Sequence, residues 1–90
     1  MIKHGDGVYL NCKKIGKNFT VLQGVTLGTG KDGIPTVENN ITVYMHAVVV
    51  GDVILHSGCS VGANSFVNWD VDENKTVVGI SAREIVKWKQ

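Results

Sequence analysis

The sequence predicts an all-β protein that winds as a parallel β-helix, because aliphatic residues recur in it at every sixth position. A small or apolar residue also comes four places after each of them except Leu27, and a Gly, Asn, Asp or His comes three places after. Residues of this last kind tolerate left-handed backbone and predict corners, whereas the other two series predict an inward-facing core. The aliphatic series comprises Ile15, Val21, Leu27, Val37, Val43, Val49, Leu55, Val61 and Val67.

The repeat divides the single expected domain, residues 1–90, into segments. Residues 1–14 do not yet follow the period and are expected to form an irregular entry, in which the glycines of His4-Gly5-Asp6-Gly7 indicate a turn. Residues 15–71 are expected to form the coils. Within them the step from Leu27 to Val37 is ten residues instead of six, which predicts a loop extruded at residues 28–36. Insertions in solenoids usually lie on the binding face.

A short C-terminal helix is predicted over residues 81–89. Ser81 is followed three residues later by Glu84, and lysines lie near the end of the segment. This is the pattern of a capped helix.

Composition limits the classes of partner. A chain of 90 residues buries a small core, so a stack with open ends is expected to oligomerise, and a separate partner could cap its N-terminal end. Nine Lys and Arg against eight Asp and Glu give no charge that would attract nucleic acid or a membrane surface. No segment approaches the roughly 20 apolar residues of a membrane span, so a cytoplasmic protein is expected. The two cysteines are predicted to be reduced and structural.

Several segments carry a resemblance to a known family. The six-residue repeats, the loop before Pro35, the run of residues 54–65 and the ending at residues 77–85 resemble the hexapeptide-repeat acyltransferases, in particular the serine O-acetyltransferase group. The resemblance implies a left-handed β-helix of triangular section, assembled as a homotrimer with active sites between subunits. The left hand is taken from the resemblance, because crossover connections between parallel strands are usually right-handed.

The resemblance also implies an activity, which is acetyl-CoA-dependent O-acetylation of a small acceptor such as serine or a sugar, without a metal. His4 matches the histidine that acts as general base on the acceptor hydroxyl, a role that suits a neutral imidazole. Backbone groups of Ala47, Gly62 and Ala63 are expected to line the pantetheine groove. Lys75 and Arg83 are expected to meet the phosphates of CoA.

This chain departs from the serine acetyltransferase pattern at three places. Lys3 stands where the group has an acid before the histidine, and Gly33-Ile34 stands where it has an Arg-His pair before the loop proline. Tyr44-Met45-His46-Ala47 replaces a Gly-Ala-Gly-Ala segment of the groove. Serine is therefore less well supported as the acceptor than acetyl transfer itself.

Two alternatives stay open at this point. The chain could be a catalytically inactive β-helix that serves as a remnant or a partner subunit. It could also be a zinc-dependent carbonic anhydrase with three histidine ligands. The ten-residue spacing of His46 and His56 places them at different positions of the repeat, which argues against a shared metal, and His46 at a corner position is expected to be a turn residue.

Overall fold

The computed structural model describes residues 7–79 and 83–84, and all regular secondary structure in these residues is β-strand. The strands are two or three residues long, because a corner interrupts each six-residue repeat. In chain order they are β1 (Tyr9–Leu10), β2 (Lys14–Ile15), β3 (Thr20–Val21), β4 (Thr26–Gly28), β5 (Thr36–Val37), β6 (Thr42–Val43), β7 (Val48–Val50), β8 (Ile54–Leu55), β9 (Ser60–Val61), β10 (Phe66–Val67), β11 (Thr76–Val78) and β12 (Arg83–Glu84).

The strands form three sheets, which are the faces of a coil. Face 1 contains β1, β4, β7 and β10; face 2 contains β2, β5 and β8; face 3 contains β3, β6, β9, β11 and β12. Strands of successive coils pair in parallel throughout, and only β11 and β12 are antiparallel. The predicted parallel β-helix is therefore confirmed. None of the described residues belongs to a helix that could cross a membrane.

The core is a column of aliphatic side chains inside the coil, because each aliphatic residue of the repeat stacks on its counterpart in the next coil. On face 1, for example, Leu27 pairs with Val49 and Val49 with Val67. The residues four places further on are buried as well, as predicted. They are Phe19, Val25, Ile41, Ala47, Val53, Cys59, Ser65 and Val71.

Two of the three corners are regular. Corner 2–3, between faces 2 and 3, has positive φ at Asn18, Asn40, Gly58 and Asn74. Corner 3–1, between faces 3 and 1, has it at Gly7, Gly24, His46, Asn64 and Gly79. Six of the predicted corner residues therefore adopt the left-handed conformation, and His46, with φ of 61°, is confirmed as a turn residue.

The third corner, corner 1–2, is where the repeat is irregular. The step from face 1 to face 2 is five residues from Leu10 to Ile15, ten around the extruded loop, and four from Val67 to Val71, which pairs with Leu55. Val71, which was predicted to face inward in the series four places after an aliphatic residue, thus takes the place of an aliphatic residue on face 2. The predicted corner residues Asp52 and Asp70 do not have positive φ; Gly51 has it, and the Asp70 carboxylate accepts a hydrogen bond from Ile54 N at 2.9 Å.

The predicted helix over residues 81–89 is wrong at the two positions that the structure describes. Arg83–Glu84 forms β12 and pairs with β11, with Val77 opposite Glu84 and Val78 opposite Arg83. The physical reason is that β11 ends the face 3 sheet, and its outer edge presents N–H and C=O groups that a further strand can pair. The remainder of residues 81–89 lies outside the described residues.

Candidate active site

His4 and the segment that begins the chain lie outside the described residues. The first described residue is Gly7, which has φ of 71° at corner 3–1. It stacks on Gly24 of the next coil, since a Cβ built on Gly7 would lie 3.6 Å from Gly24 Cα. The entry to the coils is therefore placed at corner 3–1, three residues after His4.

The structure brings together the three residues predicted to line the pantetheine groove. Ala47 lies at corner 3–1 between β6 and β7, and Gly62 and Ala63 lie at the same corner of the next coil, between β9 and β10. Their polar backbone groups differ in availability. Ala47 N–H donates to Tyr44 O at 3.3 Å, and Gly62 N–H donates to Val77 O at 2.8 Å. Ala63 is exposed, and its backbone has no hydrogen-bond partner within residues 7–79.

Packing within the stack accounts for two glycines at this corner. A Cβ on Gly62 would collide with the Val78 side chain, and a Cβ on Gly24 would collide with the His46 ring. Each glycine thus makes room for a side chain of the following coil. The small residue at position 62 therefore has a structural role whether or not CoA approaches it.

The two residues predicted to meet the CoA phosphates lie apart in the fold. Lys75 is exposed at corner 2–3, just before β11, and its carbonyl accepts a hydrogen bond from Ser60 N at 2.9 Å. The backbone of Arg83 lies opposite Val78, near the end of face 3 that leads to corner 3–1. The groove residues are thus at the corner beside Arg83, and Lys75 is at another.

The extruded loop closes on itself and on the next coil at corner 1–2. Gly30 N–H donates to Gly33 O at 2.8 Å, and Gly51 N–H donates to Gly28 O at 3.2 Å. A side chain on Gly30 would collide with the backbone of Gly51, so glycine is required there. Pro35 is buried and ends the loop.

A cleft of about 370 Å³ lies between this loop and the coils that follow it. Residues 30–32 of the loop, residues 50–53, Phe66 and Asn68 line it. Its Asp52 carboxylate forms an ion pair with Lys13 Nζ at 2.8 Å, which joins the first coil to the third beside the loop. Sequence reasoning missed this pair, because the irregular spacing at corner 1–2 hides which residues stack there.

A second polar cluster lies at corner 2–3. Glu38 Oε1 accepts hydrogen bonds from Ser57 N at 3.0 Å and Ser57 Oγ at 3.4 Å, and it lies 3.4 Å from His56 Nδ1. The eighteen-residue spacing of Glu38 and His56, which is one coil, was a signal that could have identified the pair. His46 and His56 are thus at different corners. Within the described residues, no three His, Cys, Asp or Glu side chains gather where they could hold a metal.

Both thiols are free, as expected for reduced structural cysteines. Burial raises the pKa of the Cys12 thiol to about 11 and that of the Cys59 thiol to about 12. A thiol must ionise to act as a nucleophile or metal ligand. Neither cysteine is therefore suited to catalysis near neutral pH.

Known proteins to which this chain is similar include serine acetyltransferases. No protein-family model matches the chain. A serine acetyltransferase of Bacillus licheniformis is 45% identical over 92 residues, which cover 96% of this chain and 42% of that protein. The chain thus spans about two fifths of the length of the curated relatives it matches.

Two solved structures show the same likeness. A serine acetyltransferase in complex with CoA has a TM-score of 0.87 at 32% identity, covering 94% of this chain and 36% of its own. A soybean serine acetyltransferase complexed with serine has a TM-score of 0.86 at 33% identity, and the match covers 94% of this chain and 37% of that chain. By sequence and by fold, the chain is similar to the serine acetyltransferase group of the hexapeptide-repeat acyltransferases.

Proposed function

We propose that the chain is the β-helix part of an acetyl-CoA-dependent O-acetyltransferase that acts on the hydroxyl of a small acceptor, serine or a sugar. The observation that carries this proposal is the 45% identity to a serine acetyltransferase over nearly the whole chain. The fold likeness to a serine acetyltransferase in complex with CoA supports acetyl-CoA as the co-substrate.

His4 is proposed as the general base. Its imidazole takes the proton of the acceptor hydroxyl as the hydroxyl oxygen attacks the thioester carbonyl carbon. The C–S bond then breaks, and the departing CoA thiolate takes a proton back from the imidazolium. A positioned general base typically contributes about 10² to 10⁴-fold to the rate of such a step.

Acetyl-CoA is proposed to lie along corner 3–1. The exposed residue Ala63 supports this location, since its backbone has no hydrogen-bond partner within residues 7–79 and could bond to the pantetheine amides, with Ala47 and Gly62 at the same corner. Arg83 and Lys75 are proposed to meet the phosphates, and Arg83 lies at the nearer end of face 3. The binding of CoA needs no metal in this scheme.

A homotrimer with its sites between subunits is part of the proposal, as is a cytoplasmic location. Large apolar side chains are exposed at and beside corner 3–1, namely Tyr44 at 43%, Met45 at 41% and Val78 at 40%. A neighbouring copy of the chain would remove these surfaces from water, which favours association. A mass of the assembly that is not a multiple of the chain mass would instead indicate a separate partner at the N-terminal end.

The test is the rate of thiol release from acetyl-CoA with a panel of acceptors, for the wild type, His4→Ala and His56→Ala. His4→Ala should lower turnover at least about a hundredfold, while CoA affinity and the mass of the assembly stay unchanged. His56→Ala is the matched control, because His56 lies beside Glu38 at corner 2–3 and should leave turnover nearly unchanged. Equal effects of the two variants would contradict the role of His4.

The second candidate is a β-helix that binds CoA without catalysis. It is favoured by Gly33-Ile34 in the loop and by the backbone of Ala47, whose N–H and C=O are both bonded within the stack. A wild-type chain that binds CoA and releases no thiol with any acceptor would support this candidate over the enzyme.

A further inference from the structure

His46 lies at corner 3–1 between the entry to the coils and the exposed groove residue Ala63. The positive-φ residues of this corner in the first three described coils are Gly7, Gly24 and His46, and Ala63 is at the same corner of the next coil. Gly7 comes three residues after the proposed general base, His4. The pantetheine arm of a CoA that reaches from the groove to His4 therefore passes His46.

The imidazole of His46 lies along this corner, over the coil that precedes it. A Cβ on Gly24 would collide with the ring, and Nδ1 is the ring atom nearest to that position. The Cδ2–Nε2 edge is on the opposite side of the ring and faces away from the stack, and the residue is exposed. Because Gly7 and Gly24 have no side chains, the ring borders the path from the entry to Ala63.

The polar groups of corner 2–3 are paired with one another. The Asn18 side chain donates to Asn40 Oδ1 at 2.8 Å, and both residues have positive φ. The backbone N–H one residue before each such position also has a side-chain partner. Asn39 N–H donates to Ser57 Oγ at 3.3 Å, and Ser57 N–H donates to Glu38 Oε1 at 3.0 Å.

The corresponding groups of corner 3–1 are unpaired. Met45 and Ala63 each come one residue before a positive-φ residue, and both are exposed. Within residues 7–79, neither their N–H groups nor the ring nitrogens of His46 have a hydrogen-bond partner. Corner 3–1 therefore presents polar groups that a ligand can engage, whereas corner 2–3 satisfies its own.

The spacing of these groups matches the pantetheine arm. Equivalent groups in successive coils are about 4.8 Å apart, the separation of neighbouring strands. The arm has two amides joined by β-alanine, which sets them about 5 Å apart, one C–C bond more than the 3.8 Å between successive α-carbons. When Ala63 N–H bonds to one amide, the other amide is therefore level with His46. An amide offers a donor and an acceptor, and Nε2 of a neutral imidazole can supply either partner.

We propose that His46 is a binding residue for acetyl-CoA, and that its Nε2 forms a hydrogen bond with the pantetheine amide nearer the thioester. The inference rests on the proposed function for the course of CoA along corner 3–1. His46 stands at a glycine of the Gly-Ala-Gly-Ala segment, so this chain makes with a side chain a contact that a glycine cannot make. The bond holds the arm one coil nearer to the entry than Ala63 does.

The experiment compares the wild type, His46→Gly and the control Asn40→Gly, all as the full chain. Both positions are exposed and have positive φ, which glycine adopts readily, and Asn40 is at corner 2–3. Melting curves establish that each variant is folded. Calorimetry measures the binding of CoA and of adenosine 3′,5′-bisphosphate, which resembles the nucleotide end of CoA and lacks the arm. Thiol release with L-serine as acceptor gives KM and kcat for acetyl-CoA.

His46→Gly should weaken CoA binding about three- to tenfold, the net effect of one hydrogen bond. It should leave the binding of the bisphosphate unchanged, and Asn40→Gly should change neither affinity. The KM for acetyl-CoA should rise by the same factor with kcat within about twofold, because the bond is present before and during the transfer.

Unchanged or tighter CoA binding in folded His46→Gly would overturn the inference and leave the proposed function intact. An equal loss for the bisphosphate, or an equal loss in Asn40→Gly, would do the same. A fall in kcat at constant KM would also overturn it, because the ring would then act on the thioester. Absence of CoA binding by the wild type would overturn the proposed function itself, and the inference with it.

Discussion

The substitution Leu55→Ala tests whether the core is a stack of coils. Leu55 is fully buried on face 2 between Val37 and Val71, so truncation leaves a cavity with aliphatic side chains on both sides. Leu→Ala changes in cores cost about 2–5 kcal/mol. At roughly 0.05–0.15 kcal/mol per residue, a chain of this length has a free energy of unfolding of only about 5–13 kcal/mol.

The expected loss is therefore a large share of the total. In a domain of this size each kcal/mol lowers Tm by roughly 4–8 °C, so Leu55→Ala should lower it by about 10 °C or more. Ile15→Ala is the matched control, because Ile15 lies on the same face in the first described coil and is 42% exposed.

Thermal unfolding followed by circular dichroism, at one protein concentration, gives both values. The Tm of Ile15→Ala should fall by less than half as much as the Tm of Leu55→Ala. A Leu55→Ala variant with a Tm within about 4 °C of the wild type would refute the stacked core. An equal fall in Tm for Ile15→Ala and Leu55→Ala would also refute it.

Three further predictions follow from the same geometry. Gly24→Ala should lower Tm more than Gly51→Ala. Both glycines have positive φ, where a side chain costs about 1–2 kcal/mol. A Cβ at Gly24 would also collide with the His46 ring, whereas a Cβ at Gly51 would have nothing within 4 Å. Equal losses would contradict this packing. Burial raises the pKa of Cys12 and Cys59 from 9.0 to about 11 and 12, so folding favours the protonated thiols. Their contribution to the unfolding free energy is complete below about pH 9 and is lost as the pH rises through 11 to 12. Urea unfolding from pH 8 to 11 should show a smaller decline in Cys59→Ala than in the wild type, and an identical decline would refute the assignment. Light scattering should give three times the chain mass of 9.7 kDa, and a monomer at micromolar concentration would contradict the proposed trimer.

The sequence predicted the regular part of the fold because one physical rule governs it. An aliphatic residue every six positions must stack on its counterpart one coil away, as Val43 does on Val61. The same rule located the corner residues Asn40 and Asn64, both of which adopt positive φ. The hand of the helix could not come from this periodicity, since no residue in the repeat encodes it, and was taken from the resemblance.

Prediction failed where the period changes. Val71 was assigned to the inward-facing series four places after an aliphatic residue, because the count continued from Val67, but the step at corner 1–2 is four residues there, and Val71 pairs with Leu55 of the aliphatic series itself. The capping pattern at Ser81 and Glu84 indicated a helix, since local sequence does not register the open edge of β11 that pairs with Arg83–Glu84.

For the same reason, the sequence could predict which residues meet at corner 3–1 but not which residues meet at corner 1–2. Ala47, Gly62 and Ala63 follow the regular repeat, so their common corner could be counted from the sequence. The contact of Lys13 with Asp52 crosses two irregular steps at corner 1–2 and could not be counted in this way. Contacts between coils are therefore predictable from this sequence only where no insertion or deletion intervenes.

A calorimetric titration of CoA into the purified chain tests the central claim most directly, because it requires neither the acceptor nor a catalytic turnover. A chain that transfers acetyl groups from acetyl-CoA should bind one CoA per subunit, with a dissociation constant between about 1 μM and 1 mM, the usual span of KM values. Absence of saturable binding at millimolar CoA, in a chain whose melting curve shows it to be folded, would contradict the assignment of this β-helix to acetyl transfer.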